Sequence, residues 1–405
     1  MQTYHADLHI HIGRAGGKPV KITAARDLTF ANIAKECARR KGIEIAGVVD
    51  CASPVVLREI RELISSGEME EIADGGLRYR DQITVILGSE LETSEPGGGL
   101  SHHLSYFPTV AQMAEFSARL SKQVSNLQLS SQQCHLPAQQ LFAITDHIGG
   151  SFVPAHAFTP HKSVYGSCAR RLSEMFDERA LAAIPAIELG LSADSYMADR
   201  LAELNVKTFV SNSDAHSLPK IAREFNTLEL EHASYQELLW ALRLEQGRRV
   251  SGNFGLDPRL GKYHRTYCLK CEWIEQERPP ISACTRCGSG QVVKGVLDRV
   301  VEIQDYEEPR PPDHRPHYQY QVPLQFVPKL GPVSLNKLLN RFGTEMAVLH
   351  QVPYEELRLV VGTDLARSIT LARNGELPLS PGGGGKYGRA VTEAGETQLG
   401  LSLEG

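Results

Sequence analysis

Asp7-Leu8-His9-Ile10-His11 closes a short extended run near the start of the chain. On a strand, residues i and i+2 face the same side, so His9 and His11 reach towards one point, where a pair of imidazoles suits a divalent ion. Working outward, short apolar runs follow at 45–49 (Ile45-Ala46-Gly47-Val48-Val49), 83–87, 152–154, 184–189 and 206–210. Between them apolar residues recur at helical spacing over 31–40, 54–65, 109–120 and 194–204. This alternation over 1–255 predicts an α/β domain with a parallel sheet, open or closed into a barrel, and with functional groups at the carboxyl ends of its strands.

Ligand-type residues stand where the predicted strands end. Asp50 follows the run at 45–49, Glu90 follows Val85-Ile86-Leu87-Gly88, His156 follows Val153-Pro154-Ala155, and Asp214 with His216 follows Phe209-Val210. Glu188 lies inside the run at 184–189 as a further candidate. Alternation turns only one of the adjacent His102 and His103 inward, and the residues alone leave that choice open. Carboxylates beside neutral imidazoles suit zinc, manganese or iron, and closely placed ions clamp phosphate and activate water, so phosphoester hydrolysis is the chemistry suggested. Thr145-Asp146-His147 ends a predicted helix and is read as structural, and Cys51 as a small buried thiol.

The chain has 405 residues, which implies two or more domains. Its charged residues (22%) and hydrophobic residues (41%) are ordinary for a globular protein, and no apolar run has the length of a membrane helix. A net charge of -5 argues against a globally basic nucleic-acid binder, although a metal-rich site accepts phosphates despite its carboxylates. The start of the chain has no basic segment leading into an apolar one, and a cytoplasmic protein with reduced thiols is expected.

Four of the eight cysteines form two pairs, Cys268-Leu269-Lys270-Cys271 and Cys284-Thr285-Arg286-Cys287. Four thiolates at this spacing close a tetrahedral zinc site with no open position, hence one structural zinc in a module over 256–306. A proline-rich linker (307–321) leads to a compact helical region (322–376), and a glycine-containing tail (377–405) is expected to be disordered. In the helical region Val327-Pro328-Lys329-Leu330-Gly331-Pro332 resembles a helix-hairpin-helix motif, whose tight turn aims backbone N–H groups at a DNA phosphate; Lys329 replaces the usual first glycine.

Taken together, the HxH, the aspartate-bearing second segment, the buried glutamate, the later histidines and the terminal Asp-x-His resemble the polymerase and histidinol phosphatase (PHP) family. Pro154-Ala155-His156-Ala157-Phe158-Thr159-Pro160-His161-Lys162-Ser163, Ile187-Glu188-Leu189-Gly190-Leu191-Ser192 and Ser213-Asp214-Ala215-His216-Ser217 are similar, more narrowly, to the endonuclease Q family. The resemblance spans residues 3–375 and implies a distorted seven-stranded β/α barrel. It implies two or three divalent metals (zinc, manganese, magnesium or iron) held by His9, His11, Asp50, Glu90, His102, His156, Asp214 and His216. Of these, Asp214, His9, His11, Glu90 and His156 are expected to carry catalysis. His102, rather than His103, matches the family's His-x-Leu-x-x-Phe-Pro pattern. The family usually has a histidine shortly after the second-segment aspartate; this chain reads Asp50-Cys51-Ala52-Ser53-Pro54, which leaves a third metal open.

The same resemblance implies DNA as partner and hydrolysis 5′ to uracil, hypoxanthine, xanthine or an abasic site, leaving a 3′-hydroxyl and a 5′-phosphate. DNA contacts are expected from Lys162, Lys262, Arg265, Lys329 and Gly331, and a pocket for a flipped base from Phe158, His161, Tyr165, Leu191 and Ser192. Any replication or repair protein partner is not specified. Two other readings stay open: a PHP-type phosphatase of small esters, and a non-catalytic DNA-damage-binding module.

Overall fold

The computed structural model describes residues 1–391. Its main strands are β1 (Gln2–Ile10), β2 (Ile45–Val48), β3 (Ile83–Ser94), β4 (Leu100–Phe107), β5 (Ser151–Pro154), β6 (Ala186–Glu188), β7 (Thr208–Val210), β8 (Phe225–Leu230), β9 (Arg249–Gly255) and β10 (Tyr318–Tyr320). They run in the order β10-β9-β8-β1-β2-β3-β4-β5, and β6 pairs with β7. The remaining gap is bridged by Ala157 N–H donating to Glu188 O beyond β5 (2.9 Å) and by Asn253 Nδ2 of β9 donating to Phe209 O of β7 (2.9 Å). The result is a distorted α/β barrel.

The sheet is mixed, where the sequence pattern predicts a parallel one. The pairs β1/β2, β2/β3 and β6/β7 are parallel, but β3/β4, β4/β5, β1/β8 and β8/β9 are antiparallel. The reason is local. The glycines at 97–99 turn β3 straight back into β4 as a hairpin, with no crossover helix to keep the direction.

Several helices lie where apolar spacing predicts them. Pro54–Ser65 buries Val55, Val56, Leu57 and Ile60, and Val110–Leu120 is capped by Thr109 accepting from Gln112 N–H. A second cluster, with Leu8, Ile45, Ile86, Leu104, Val153 and Leu228, is sealed by Leu238 and Ala241 of the helix Tyr235–Arg243. Packing is tight where β1 and β2 meet, since a Cβ at Gly47 would stand 2.3 Å from Leu8 O.

The segment assigned to a linker packs on the barrel: Arg315 is buried, bonded to Asp199 Oδ1 (3.1 Å) and Lys207 O (2.6 Å), and β10 joins the sheet beside β9. A correction applies to the tail. Instead of disorder from residue 377, Leu379–Ser380 pairs with Arg389–Ala390, and the glycines between them pack against the cysteine module; positions 392–405 of that expectation lie outside the described residues. Among the described residues no helix is long and apolar enough to cross a membrane.

Candidate metal centre

The register of β1 against β2 shifts between Asp7 and Ile10, an irregularity that re-aims side chains where the HxH leaves the sheet. Behind the imidazoles stand two carboxylates. His9 Nδ1 donates to Glu188 Oε1 (3.0 Å) and His11 Nδ1 to Asp50 Oδ2 (3.2 Å). With protons held there, both Nε2 lone pairs point inward, 3.3 Å apart. Asp214 Oδ1 enters the same space, 3.3 Å from His11 Nε2, 3.7 Å from His9 Nε2 and 3.4 Å from His216 Nε2. The Glu90 carboxylate lies 3.5 Å from His9 Nε2 and 3.6 Å from His11 Nε2. Its Oε1 is also 2.9 Å from His102 Nδ1 and 3.4 Å from His156 Nε2.

These atoms form three overlapping donor groups: His9, His11 and Glu90; His11, Asp214 and His216; Glu90, His102 and His156. The inward-facing nitrogens of His9 and His11 are lone pairs set among carboxylate oxygens. Such a buried convergence of acceptors fits divalent cations. Glu90 and His11 each belong to two of the groups, and the two oxygens of Glu90 would let it serve both of its groups. Burial pushes its carboxyl up, but His102, Lys21 and His156 pull it well below the usual carboxylate range. Burial also opposes ionisation of Asp214, yet the imidazoles of His11, His216 and His9 around it hold it well below that range. Both stay ionised and ready to coordinate. Two of the candidate ligands sit on left-handed backbone, His156 at φ +28° and Asp214 at φ +45°, where conformational strain is held in place by the surrounding packing.

Asp50, which sequence reasoning places among the ligands, lies in none of the three donor groups among the described residues. Its Oδ2 accepts from Ile12 N–H (2.7 Å) and His11, so it sets the tautomer and tilt of His11. Glu188 does the same for His9, held by Asn212 Nδ2 (2.7 Å) and His156 N–H (2.8 Å). Lys21, Ser131 and Glu92 escaped the sequence reading. Lys21 Nζ, 3.6 Å from Glu90 Oε2, donates to Ser131 Oγ (2.6 Å), and Ser131 donates to Glu90. Both reach the site from segments without periodicity. Glu92 had a signal, since it is two residues beyond Glu90 on one strand and its Oε2 is 3.3 Å from His102 Nε2.

His103, Asp146 and Cys51 lie outside the donor groups among the described residues. His103 stacks on Phe152 (4.8 Å) and burial pushes its imidazole down to about 3, so it is a neutral core residue. Asp146 pairs with Arg179, and Cys51 Sγ donates to Val48 O (3.1 Å).

A pocket of about 270 Å³ opens over the centre; His161, Lys162, Leu191, Ser192, Lys262 and Tyr263 are among its lining residues. Phe158 and Tyr165, expected in its wall, are a correction. Both are buried, stacked on each other at 5.0 Å, with Tyr165 Oη donating to Glu203 (2.9 Å), because their rings close the core beneath the loop. Lys162 pairs with Glu92 Oε2 (2.7 Å), and Arg265 is tied to Asp298 Oδ2 (3.3 Å) inside the cysteine module. Lys329 adopts φ +67°, the glycine-like conformation of a tight turn, and Gly331 caps the helix Pro332–Phe342.

In the cysteine module the Sγ atoms of Cys268 and Cys287 are 3.7 Å apart and those of Cys271 and Cys284 3.6 Å apart. A tetrahedral zinc–thiolate site with bonds of about 2.3 Å has edges of about 3.8 Å, so the cage fits a zinc ribbon.

No family model matches the chain. The uncharacterized protein YqxK of Bacillus subtilis is 47% identical over 395 residues, 96% of this chain and 99% of that one. An uncharacterized protein of Methanocaldococcus jannaschii is 34% identical over 254 residues, 58% of this chain and 31% of its own. The crystal structure of the lesion-specific endonuclease Q of Pyrococcus furiosus aligns with a TM-score of 0.82 at 31% identity, covering 98% of each chain. Endonuclease Q in complex with a 27-mer duplex bearing an abasic lesion at its active site aligns with the same score and identity over 100% of this chain and 99% of that one. These likenesses and the acceptor cluster make the protein a metal-dependent nuclease. Within that class the chain belongs to the endonuclease Q family.

Proposed function

We propose that the protein is a DNA repair endonuclease that hydrolyses the phosphodiester 5′ to a deaminated base (uracil, hypoxanthine or xanthine) or an abasic site. The observation that carries this reading is the bridging position of Glu90 between the His9/His11 and His102/His156 groups, beneath an open pocket, in a chain that aligns end to end with an endonuclease bound to abasic DNA. Bound divalent ions would supply charge neutralisation of the phosphate and acidify an attacking water.

The chain's own residues do the rest. Glu188 and Asp50 keep His9 and His11 in the tautomers that present Nε2, so the ligands need no reorganisation before reaction. His161, Tyr263, Leu191 and Ser192 wall the cavity in which a flipped base is held, while Lys162 and Lys262 meet the phosphates beside it. Gly331 and Lys329 contribute a further phosphate contact from the helical region, and the four cysteines hold one structural zinc.

The test is nicking of duplexes carrying one uracil, hypoxanthine, xanthine or abasic site, beside an undamaged duplex and a small phosphate ester, with Mg²⁺, Mn²⁺ or Zn²⁺. Lesion-dependent nicking 5′ to the site, lost in Asp214→Ala, is the expected result. Phosphate release from the ester alone, or tight binding without turnover, would overturn it.

A further inference from the structure

The glycine-rich C-terminal segment is built into the active site. Its backbone is laid along the segment that leads to the cysteine module: Gly382 N–H donates to Arg259 O (2.8 Å), Gly388 N–H to Leu260 O (2.9 Å) and Gly385 N–H to Lys262 O (3.4 Å). The other side of the strap is pressed on the module. A Cβ on Gly383 would lie 2.5 Å from Ile274 Cδ1, and one on Gly384 2.7 Å from Tyr267 Cε2, so a side chain at either position would have to displace the module or the strap.

The strap delivers one large side chain to the pocket, that of Tyr387, which shares the lining with Glu90, His156, Asp214 and Lys262. Lys262 Nζ stands 4.7 Å from the centre of the Tyr387 ring, and Arg223 Cζ 5.5 Å from it. Arg223 in turn donates to Ser213 O (2.7 Å) and Asp214 O (3.2 Å), the backbone that carries the metal ligand Asp214. One aromatic face thus gathers two cations beside the metal centre, and Lys262 is the one that lines the pocket. A phosphodiester chain entering that pocket passes the Lys262 ammonium.

We propose that Tyr387 is a substrate-positioning residue of the nuclease: its ring, carried in by the C-terminal strap, fixes the Lys262 ammonium at the pocket wall where a DNA phosphate next to the scissile one is received. The inference rests on the nuclease reading above. It gives the strap and the cysteine module a shared task, because the module supplies the surface on which the strap lies.

The full-length protein is compared with Tyr387→Leu, Tyr387→Phe, Lys262→Met and the Tyr387→Leu/Lys262→Met double variant. Two quantities are read: steady-state nicking of an abasic-site duplex, and equilibrium binding of a fluorescent abasic-site duplex whose scissile linkage is replaced by a non-hydrolysable phosphonate, with the metals retained. Loss of a cation–π contact predicts that Tyr387→Leu raises KM and Kd about five- to tenfold with kcat within about twofold. Tyr387→Phe, which keeps the ring, stays near the unaltered protein. Lys262→Met matches Tyr387→Leu, and the double variant is no worse than either. An unchanged Kd in Tyr387→Leu, an equal loss in Tyr387→Phe, or losses that multiply in the double variant would each overturn the proposal. Thermal unfolding monitors integrity; should Tyr387→Leu not fold, Gly383→Val, a change outside the pocket that displaces the strap carrying Tyr387, must reproduce the rise in KM, and an unaltered KM there rejects the idea. If the unaltered protein nicks no duplex, the nuclease reading itself fails; if it nicks and Tyr387→Leu is indistinguishable from it, only the role of Tyr387 does.

Discussion

Glu188 Oε1 accepts the Nδ1 proton of His9 at 3.0 Å while remaining outside each of the donor groups of the metal centre among the described residues. Its work is therefore indirect. It fixes which nitrogen of His9 carries the proton, and its negative charge makes the opposite nitrogen a better donor. Removing that charge in Glu188→Gln should weaken metal binding by about ten- to a hundredfold while leaving every ligand in place. Competition with a chelator, followed by metal analysis, measures this. Metal affinity equal to that of the unaltered protein would show that His9 is held by packing alone.

Glu90 is different in kind, since it enters two of the three donor groups whereas His216 enters one. Glu90→Ala should lose more than one ion per chain, and nicking should fall by more than about a hundredfold, beyond the cost of an outer-shell change. His216→Ala should retain the ions bound through Glu90. Metal content of the two variants purified in parallel separates these outcomes, and equal loss in both would remove the bridging role of Glu90.

This division between ligands and their supports marks how far the sequence can be read. The convergence of His9, His11, Glu90, His156, Asp214 and His216 was legible because strand alternation and strand ends dictate where such residues point. Asp50 was legible as part of the site but not as a support, because its partner is the outer nitrogen of His11 and nothing in the local pattern shows which nitrogen faces the ions. Lys21 and Ser131 reach Glu90 from loops whose paths depend on long-range contacts. The tail misled for a physical reason: a run of glycines reads as flexible chain, yet here it is the shape that fits between the segment at Arg259 and the side chains of Tyr267 and Ile274. The hairpin of β3 and β4 was missed because the apolar run at 83–87 ends well before the strand does.

Glu224, which belongs to none of the donor groups, supplies a further pH dependence. It is fully buried, and although Leu256 N–H and Arg223 favour its charged form, burial dominates and raises the carboxyl from 4.5 to about 8. Between those values the folded protein keeps a proton that the unfolded chain releases. Its contribution is therefore whole below the unfolded value and is lost as pH rises through the folded one. Glu224→Gln, which cannot ionise, should gain stability relative to the unaltered protein on going from about pH 5 to about pH 9, by at least about 2 °C in Tm. Thermal melts of both proteins at the two pH values check this; a constant difference between them would mean that Glu224 is not protonated in the fold.

Lys41 and Glu345 set the position of the helical region on the barrel. Lys41 Nζ donates to Glu345 Oε2 at 2.8 Å and to Pro219 O at 2.7 Å, and both side chains are buried. Pro219 lies just beyond His216, so this one ammonium ties the N-terminal helical segment, the loop after the Asp214–His216 ligands and the region that holds Lys329 and Gly331. Taking away one charge strands the other where water cannot reach it, and Lys41→Met should cost about 3–5 kcal/mol in urea unfolding. Desolvation, rather than the attraction itself, sets that figure. Replacing both partners, in Lys41→Met/Glu345→Leu, should therefore recover most of the loss, because an apolar pair of similar size leaves no buried charge. If the double variant is as unstable as Lys41→Met, the bond to Pro219 O is the contact that matters, and the ion pair is incidental to how the two parts meet.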